Sequence, residues 1–398
     1  MQVFEQKSFL KGMGTFFFVC ALFLSTPAAF AVDVSSWTWD VLVVPPDTGW
    51  EAEPGLSIQR TLLWHQGVIS DKGDGILGHD VRFVFLPPLS EETAGEYTLP
   101  LTPETVGVFS FASHPVDAAL IDRMRKLDIP LLLGGGENVF FYEGARLLPF
   151  VFGLDLFRDY RARAFVEYAV RTQVPSSHIG VVGARFTLNE EREAKLCLDL
   201  LMDANLMPMP FWVDPSVSDT FQILTQEIKE YTAGVLISYV GRMASAEIWR
   251  GIMGVRSPYR LWYGGAPDRY FLSFRGMIFA DQNMYLNTQG GFERLKRELW
   301  SSRAVAVGDS AAAGRANALV LWLTEALSTL KTKTFPDRKA LLLQLSRVRN
   351  IPFGNQSLDI SETTHRPVRR HVRILEIRDR SFFVLDGMDV TGPEYSDY

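Results

Sequence analysis

The sequence predicts an α/β protein of two lobes, each built on a parallel β-sheet. Three observations carry that expectation. Short apolar runs alternate with amphipathic helical patterns almost throughout, the signature of βαβ units. The alternation starts afresh after residue 155. A chain of 398 residues is also long enough for two domains of roughly 150 residues each.

The elements follow in order. WDVLVV (39–44) is a strand stopped by Pro45-Pro46, because proline donates no ladder hydrogen bond. GLSIQRTLLWHQGVIS (55–70) has helical periodicity, and GDGILGHDVRFVFL gives a glycine turn and a second strand. VGVFSFA (106–112) is strand-like, PVDAALIDRMRKLD (115–128) is an amphipathic helix, and IPLLL runs into the glycines of LLLGGGEN (131–138).

The second series reads as helix 158–172, strand 178–184, helix 188–204, extended 208–214 and helix 218–233 with Asp219 near its N-terminal end. Strand 234–240, helical ASAEIWRGIMG, and strands 259–265 and 276–281 come next. A helical block (290–302 and 309–331) precedes a hairpin over 371–386 that turns at Arg378 to Arg380. The arginines of RPVRRHVRILEIR look like an anion patch, but on a terminal hairpin the expectation is a solvated face that discourages edge pairing.

Composition narrows the function. Hydrophobic residues make up 47% and charged residues 22%, ordinary for a globular protein. The net charge of -6 speaks against nucleic-acid binding through bulk electrostatics. Residues 1–31 read as a cleaved signal peptide: Lys7 and Lys11, the apolar run Phe16 to Leu24, then Ala29-Phe30-Ala31 as cleavage site. Cys20 follows Phe18-Val19 and is not a lipid site. Only Cys197 remains after cleavage, so no internal disulfide is expected, and its helical setting points to a buried small apolar residue.

No enzyme signature stands up. GGGENV has Val139 where a dinucleotide loop needs its third glycine, no P-loop lysine follows, and there is no G-x-S-x-G elbow. The six histidines are scattered, which argues against a metal site, and no cofactor is expected.

The order of elements in an exported chain resembles the type I periplasmic solute-binding proteins, the branched-chain amino-acid receptor group of ABC importers. GDGILGHDVRFVF (73–85), VGVFSFASHPVDAALIDRMRKLDIPLLLGGGEN (106–138), VFGLDLFRDYRARAFVEYAV (151–170) and FGNQSLDISETTHRPVRRHVRILEIRDRSFFVL (353–385) carry the likeness from about residue 38 to 386. The resemblance implies two lobes joined by three crossovers, near 151–156, 281–288 and 350–358. Lobe 1 would hold 32–154 with 287–350, and lobe 2 would hold 155–286 with 351–398, the ligand cleft lying between them. It implies a periplasmic receptor that passes a small molecule to an ABC permease in the inner membrane, or one that signals to a membrane sensor.

The ligand residues implied are Trp50, Phe111, Ser113, Gly135, Gly136, Glu137, Asn138, Tyr239 and Asp268, on loops 45–54, 110–114, 134–138, 239–243 and 264–268. Phe111 falls where the family's amino-acid receptors place a carboxylate-binding serine, and Glu137 where they place a threonine. Tyr239 is kept; the family's acid falls on Ala266, with Asp268 two residues on; the family's aromatic falls on Pro54, with Trp50 nearby. A glutamate in place of a hydroxyl donor repels an anion, which turns the expectation toward a cationic, amide-bearing or neutral aromatic ligand. The plain alternative is that Phe111 and Tyr239 are core and that Glu137 caps the next helix.

Overall fold

The structure, a computed structural model, describes residues 38–391 apart from 72–74, 126, 135–141, 144–145, 156–159, 176–177, 186–187, 215–218, 232–233, 254–259, 268, 283–307, 331–336 and 354–355. The proposed signal peptide and the segment Gly135–Asn138 lie outside the described residues, as does Asp268.

The first lobe opens with β1 (Thr38–Val44), α1 (Glu53–Asp71), β2 (Asp80–Phe85), α2 (Glu91–Glu96), β3 (Thr105–Ser110), α3 (His114–Met124) and β4 (Leu131–Leu133). Two short strands, β5 (Tyr142–Glu143) and β6 (Arg146–Leu147), pair with each other before β7 (Val151–Gly153). The five-stranded sheet has the order β2-β1-β3-β4-β7 and is parallel throughout. Its central strands are buried on both faces, so β1 and β3 read as continuous apolar runs and not as alternating ones.

The second lobe comprises α4 (Tyr160–Arg171), β8 (Ile179–Ala184), α5 (Leu188–Asp203), β9 (Met209–Val213), α6 (Thr220–Glu230), β10 (Val235–Ser238), α7 (Arg242–Met253), β11 (Arg260–Tyr263) and β12 (Ile278–Asp281). The chain then supplies α8 (Ser310–Ser328), α9 (Arg338–Arg347), β13 (Ile351–Phe353) and β14 (Gln356–Leu358), and finishes with β15 (Arg369–Arg378) and β16 (Ser381–Thr391). The second sheet has the order β16-β15-β12-β11-β10-β8-β9, with β8 to β12 parallel and the final hairpin antiparallel. Asp379 and Arg380, both at positive φ, make the two-residue turn whose twist suits a hairpin.

Each parallel sheet therefore has the same winding: its second strand lies outside the first, and the third pairs on the first strand's other side. Chain direction reverses its march across the sheet between β1 and β3, and again between β8 and β10.

Helix α8 returns to the first lobe and packs on α1. Asn317 meets the buried His65 across that contact at 2.8 Å, and Trp322 donates to the Leu345 carbonyl on α9 at 2.9 Å. Ile351, Phe353, Leu358 and Ile360 are buried in the same core as Val41, Phe109 and Leu319. The short β13–β14 hairpin forms a two-stranded sheet of its own.

Among the described residues no helix is long and apolar enough to cross a membrane. Cys197 is buried, as its setting implied, and burial pushes its thiol up to about 12.

Candidate functional site

In doubly wound sheets, ligands bind beyond the carboxyl ends of the strands, at the point where the winding reverses. In the first lobe that point is the loop after β1 beside the loop after β3. The Phe111 N–H donates to the Val44 carbonyl at 3.1 Å, and the Ser113 N–H donates to Asp47 Oδ1 at 2.9 Å. These two bonds join the loops into one rim. The equivalent point in the second lobe lies between β8 and β10, where the Tyr239 N–H donates to the Val182 carbonyl at 2.9 Å.

The strands that carry these loops end alike. Ser110, the last residue of β3, bonds Asp117 on α3 inside the core. Ser238, the last residue of β10, lies 2.8 Å from Ser245 on α7. Each buried pair pins a strand end to the helix that follows, so the rim loops start from fixed points.

The expected site residues separate into distinct settings. Trp50 is half-buried; its indole N–H donates to the Leu86 carbonyl at 2.6 Å, and its ring stands edge-on to Phe85. Ser113 sits at the N-terminus of α3 without using its hydroxyl as a cap. Phe111 is 6% exposed, and its ring lies over Gly134, where an added Cβ would stand 2.7 Å from the ring. Tyr239 belongs to the second lobe's core, its ring covering Gly264. Its hydroxyl makes no hydrogen bond of normal geometry and lies beside the Cys197 thiol. Burial, then Cys197 and Glu193, raise its pKa well above the usual tyrosine value. Gly135, Gly136, Glu137, Asn138 and Asp268 fall outside the described residues.

A cluster that sequence reading did not find occupies the junction of the lobes. Arg315 on α8 donates through Nη1 to Asp155 Oδ2 at 2.7 Å and to the Gly134 carbonyl at 3.2 Å. Arg370 on β15 donates to the Leu154 carbonyl and, at 2.7 Å, to the Gln282 carbonyl. Its Nη1 stands 3.7 Å from Asp155 Oδ1, and its guanidinium lies 4.2 Å over the Phe353 ring. Arg373 pairs with Asp281 at 3.6 Å. Burial lowers Arg370 to about 10, with Asp155 opposing that shift. For Arg315 burial is the largest single influence and acts downward, but Asp155, with Asp281 and Tyr160, together make the net shift upward.

Arg369 and Arg378 are exposed, as expected of a solvated arginine face, but Arg366, Arg370 and Arg373 are buried, which corrects that expectation for these three. The physical reason is topological. The first crossover (Leu154, Asp155), the end of β12 (Asp281, Gln282) and the start of β15 converge here, and their carbonyls and carboxylates need donors. Charge alternation along β15 was the one available sequence signal, and it does not disclose partners that distant.

The third crossover is tied in as well. The Gly153 N–H donates to the His365 carbonyl at 3.2 Å. The His365 Nδ1 lies 3.1 Å from the Val151 carbonyl, and its ring stacks on Phe152 at 4.3 Å.

Two α/β lobes, each wound alike, with strand carboxyl ends meeting at shared crossovers, define the type I periplasmic-binding-protein fold. Solved structures of that fold match nearly the whole chain. A branched-chain amino acid ABC transporter periplasmic ligand-binding protein from Burkholderia xenovorans matches at a TM-score of 0.68 and 13% identity, over 90% of this chain and 96% of that one. A leucine-binding protein from Thermotoga maritima gives 0.67 at 11%, over 89% and 99%. An ABC transporter solute-binding protein from Rhodopseudomonas palustris, solved with benzoate, gives 0.66 at 13%, over 90% and 99%. No protein-family profile matches the chain, and no curated protein matches it in sequence.

Proposed function

We propose that this chain is an extracytoplasmic solute-binding protein. It captures a small molecule between its lobes and delivers it to an ABC permease in the inner membrane. The observation that carries this reading is the meeting of both sheets' carboxyl ends at one junction, with each lobe's reversal point turned into a loop rim. A cleft of this kind buries most of a small ligand, and hinge motion at the crossovers closes it. The likeness to solute-binding structures over about nine-tenths of the chain supports the same reading.

The ligand is an amino acid or an amino-acid-like amide or amine. Trp50 offers a ring face and Ser113 a hydroxyl at the first rim, while Glu137, by its place in the sequence, sets a negative charge on the loop after β4. The leader expected from the sequence of residues 1–31 supports a periplasmic location. A thermal-shift screen of amino acids, amides, amines and aromatic acids tests the proposal. A true ligand at 100 times its Kd adds about 2.7 kcal/mol of stability; no shift with any compound would overturn it.

A further inference from the structure

Arg315 has capacity that the fold does not use. Its Nη1 makes both of its hydrogen bonds, to Asp155 and to the Gly134 carbonyl, while Nε and Nη2 meet no acceptor among the described residues. Its side chain is 17% exposed, whereas Arg370 and Asp155 beside it are 0% and 5% exposed. Solvent touches part of Arg315, while its neighbours are closed off.

Its position is at the junction of the lobes. Gly134 directly follows the first lobe's β4, Asp155 lies on the first crossover, and Arg370, which shares Asp155, bonds the Gln282 carbonyl just after the second lobe's β12. Arg315 therefore stands between the carboxyl ends of both sheets.

Arg315 and Arg370 also share the single carboxylate of Asp155. An arginine fork with two adjacent free donors binds a carboxylate in a planar, two-bond geometry.

We infer that Arg315 binds the carboxylate of the ligand through Nε and Nη2. This rests on the solute-binding reading and narrows it to small carboxylic acids, amino acids included.

The experiment is a calorimetric and thermal-shift comparison of matched pairs on the intact protein: leucine with leucinamide, benzoate with benzamide, and further acids each with its primary amide. The expected result is that some acid binds at least tenfold tighter than its amide. Arg315→Gln should then weaken the acid at least tenfold, weaken the amide far less, and remove the preference, while Arg315→Lys keeps part of it. Amides that bind as well as their acids, or an unchanged acid affinity in Arg315→Gln, would overturn the inference and leave the solute-binding reading standing. If no compound binds, the solute-binding reading fails and the inference with it. The acid–amide comparison needs only the wild-type chain, so a poorly folded variant does not remove the test.

Discussion

Arg315 on the helix that closes the first lobe lies 2.7 Å from Asp155 on the first crossover, and the pair holds that crossover against the end of β4. Asp155 is the only carboxylate, among the described residues, paired with both Arg315 and Arg370. Asp155→Asn leaves two buried cations uncompensated, and breaking a buried pair in this way costs about 3–5 kcal/mol. A urea titration should show the midpoint fall accordingly; a change below 1 kcal/mol would mean that the cluster is solvated.

His365 adds a pH dependence. Burial holds its imidazole down to about 4 from an ordinary 6.5, against the opposing bonds to the Val151 and Leu148 carbonyls. The unfolded chain therefore binds this proton before the folded one does. The contribution is complete above pH 6.5, is lost as pH falls toward 4, and amounts to roughly 3 kcal/mol. In His365→Asn the stability-against-pH curve should flatten over that window, while its height at pH 7 drops because the ring's stack on Phe152 is gone.

Two glycines are required by packing. At Gly264 a Cβ would stand 2.4 Å from the Tyr239 ring, and at Gly134 it would stand 2.7 Å from Phe111. Either glycine-to-alanine change should cost about 1–3 kcal/mol by overpacking. Melting temperatures check this, and a neutral Gly264→Ala would show that Tyr239 is free to swing out of the core.

Cys197 should be inert in the folded protein. Its thiol is buried and raised to about 12, so almost no thiolate exists at neutral pH. Mass spectrometry after iodoacetamide treatment at pH 8 should find it unmodified in buffer and fully alkylated in guanidinium chloride.

Most elements were legible in the sequence because their signals are local. The apolar run of β1, the period of α5 and the turn between β15 and β16 each depend on residues within a few positions of one another. Helix α9 escaped notice. So did β13 and β14, which are too short to show a period.

The candidate site was less legible. Phe111 and Tyr239 were aligned to ligand positions, yet their rings cover Gly134 and Gly264, a packing relation that residue type alone does not reveal. Residue type alone also places Arg366, Arg370 and Arg373 on the surface with Arg369 and Arg378, because exposure is the usual fate of arginine.

By itself, then, the sequence determined two α/β lobes, their order of strands and helices, and the loops on which a site could lie. Tertiary structure alone decided that Arg315 meets a partner 160 residues away and that Arg370 meets one 216 residues away. Periodicity records which face of an element is dry. The partner of a buried charge is set by where distant strand ends converge, and no local pattern encodes that.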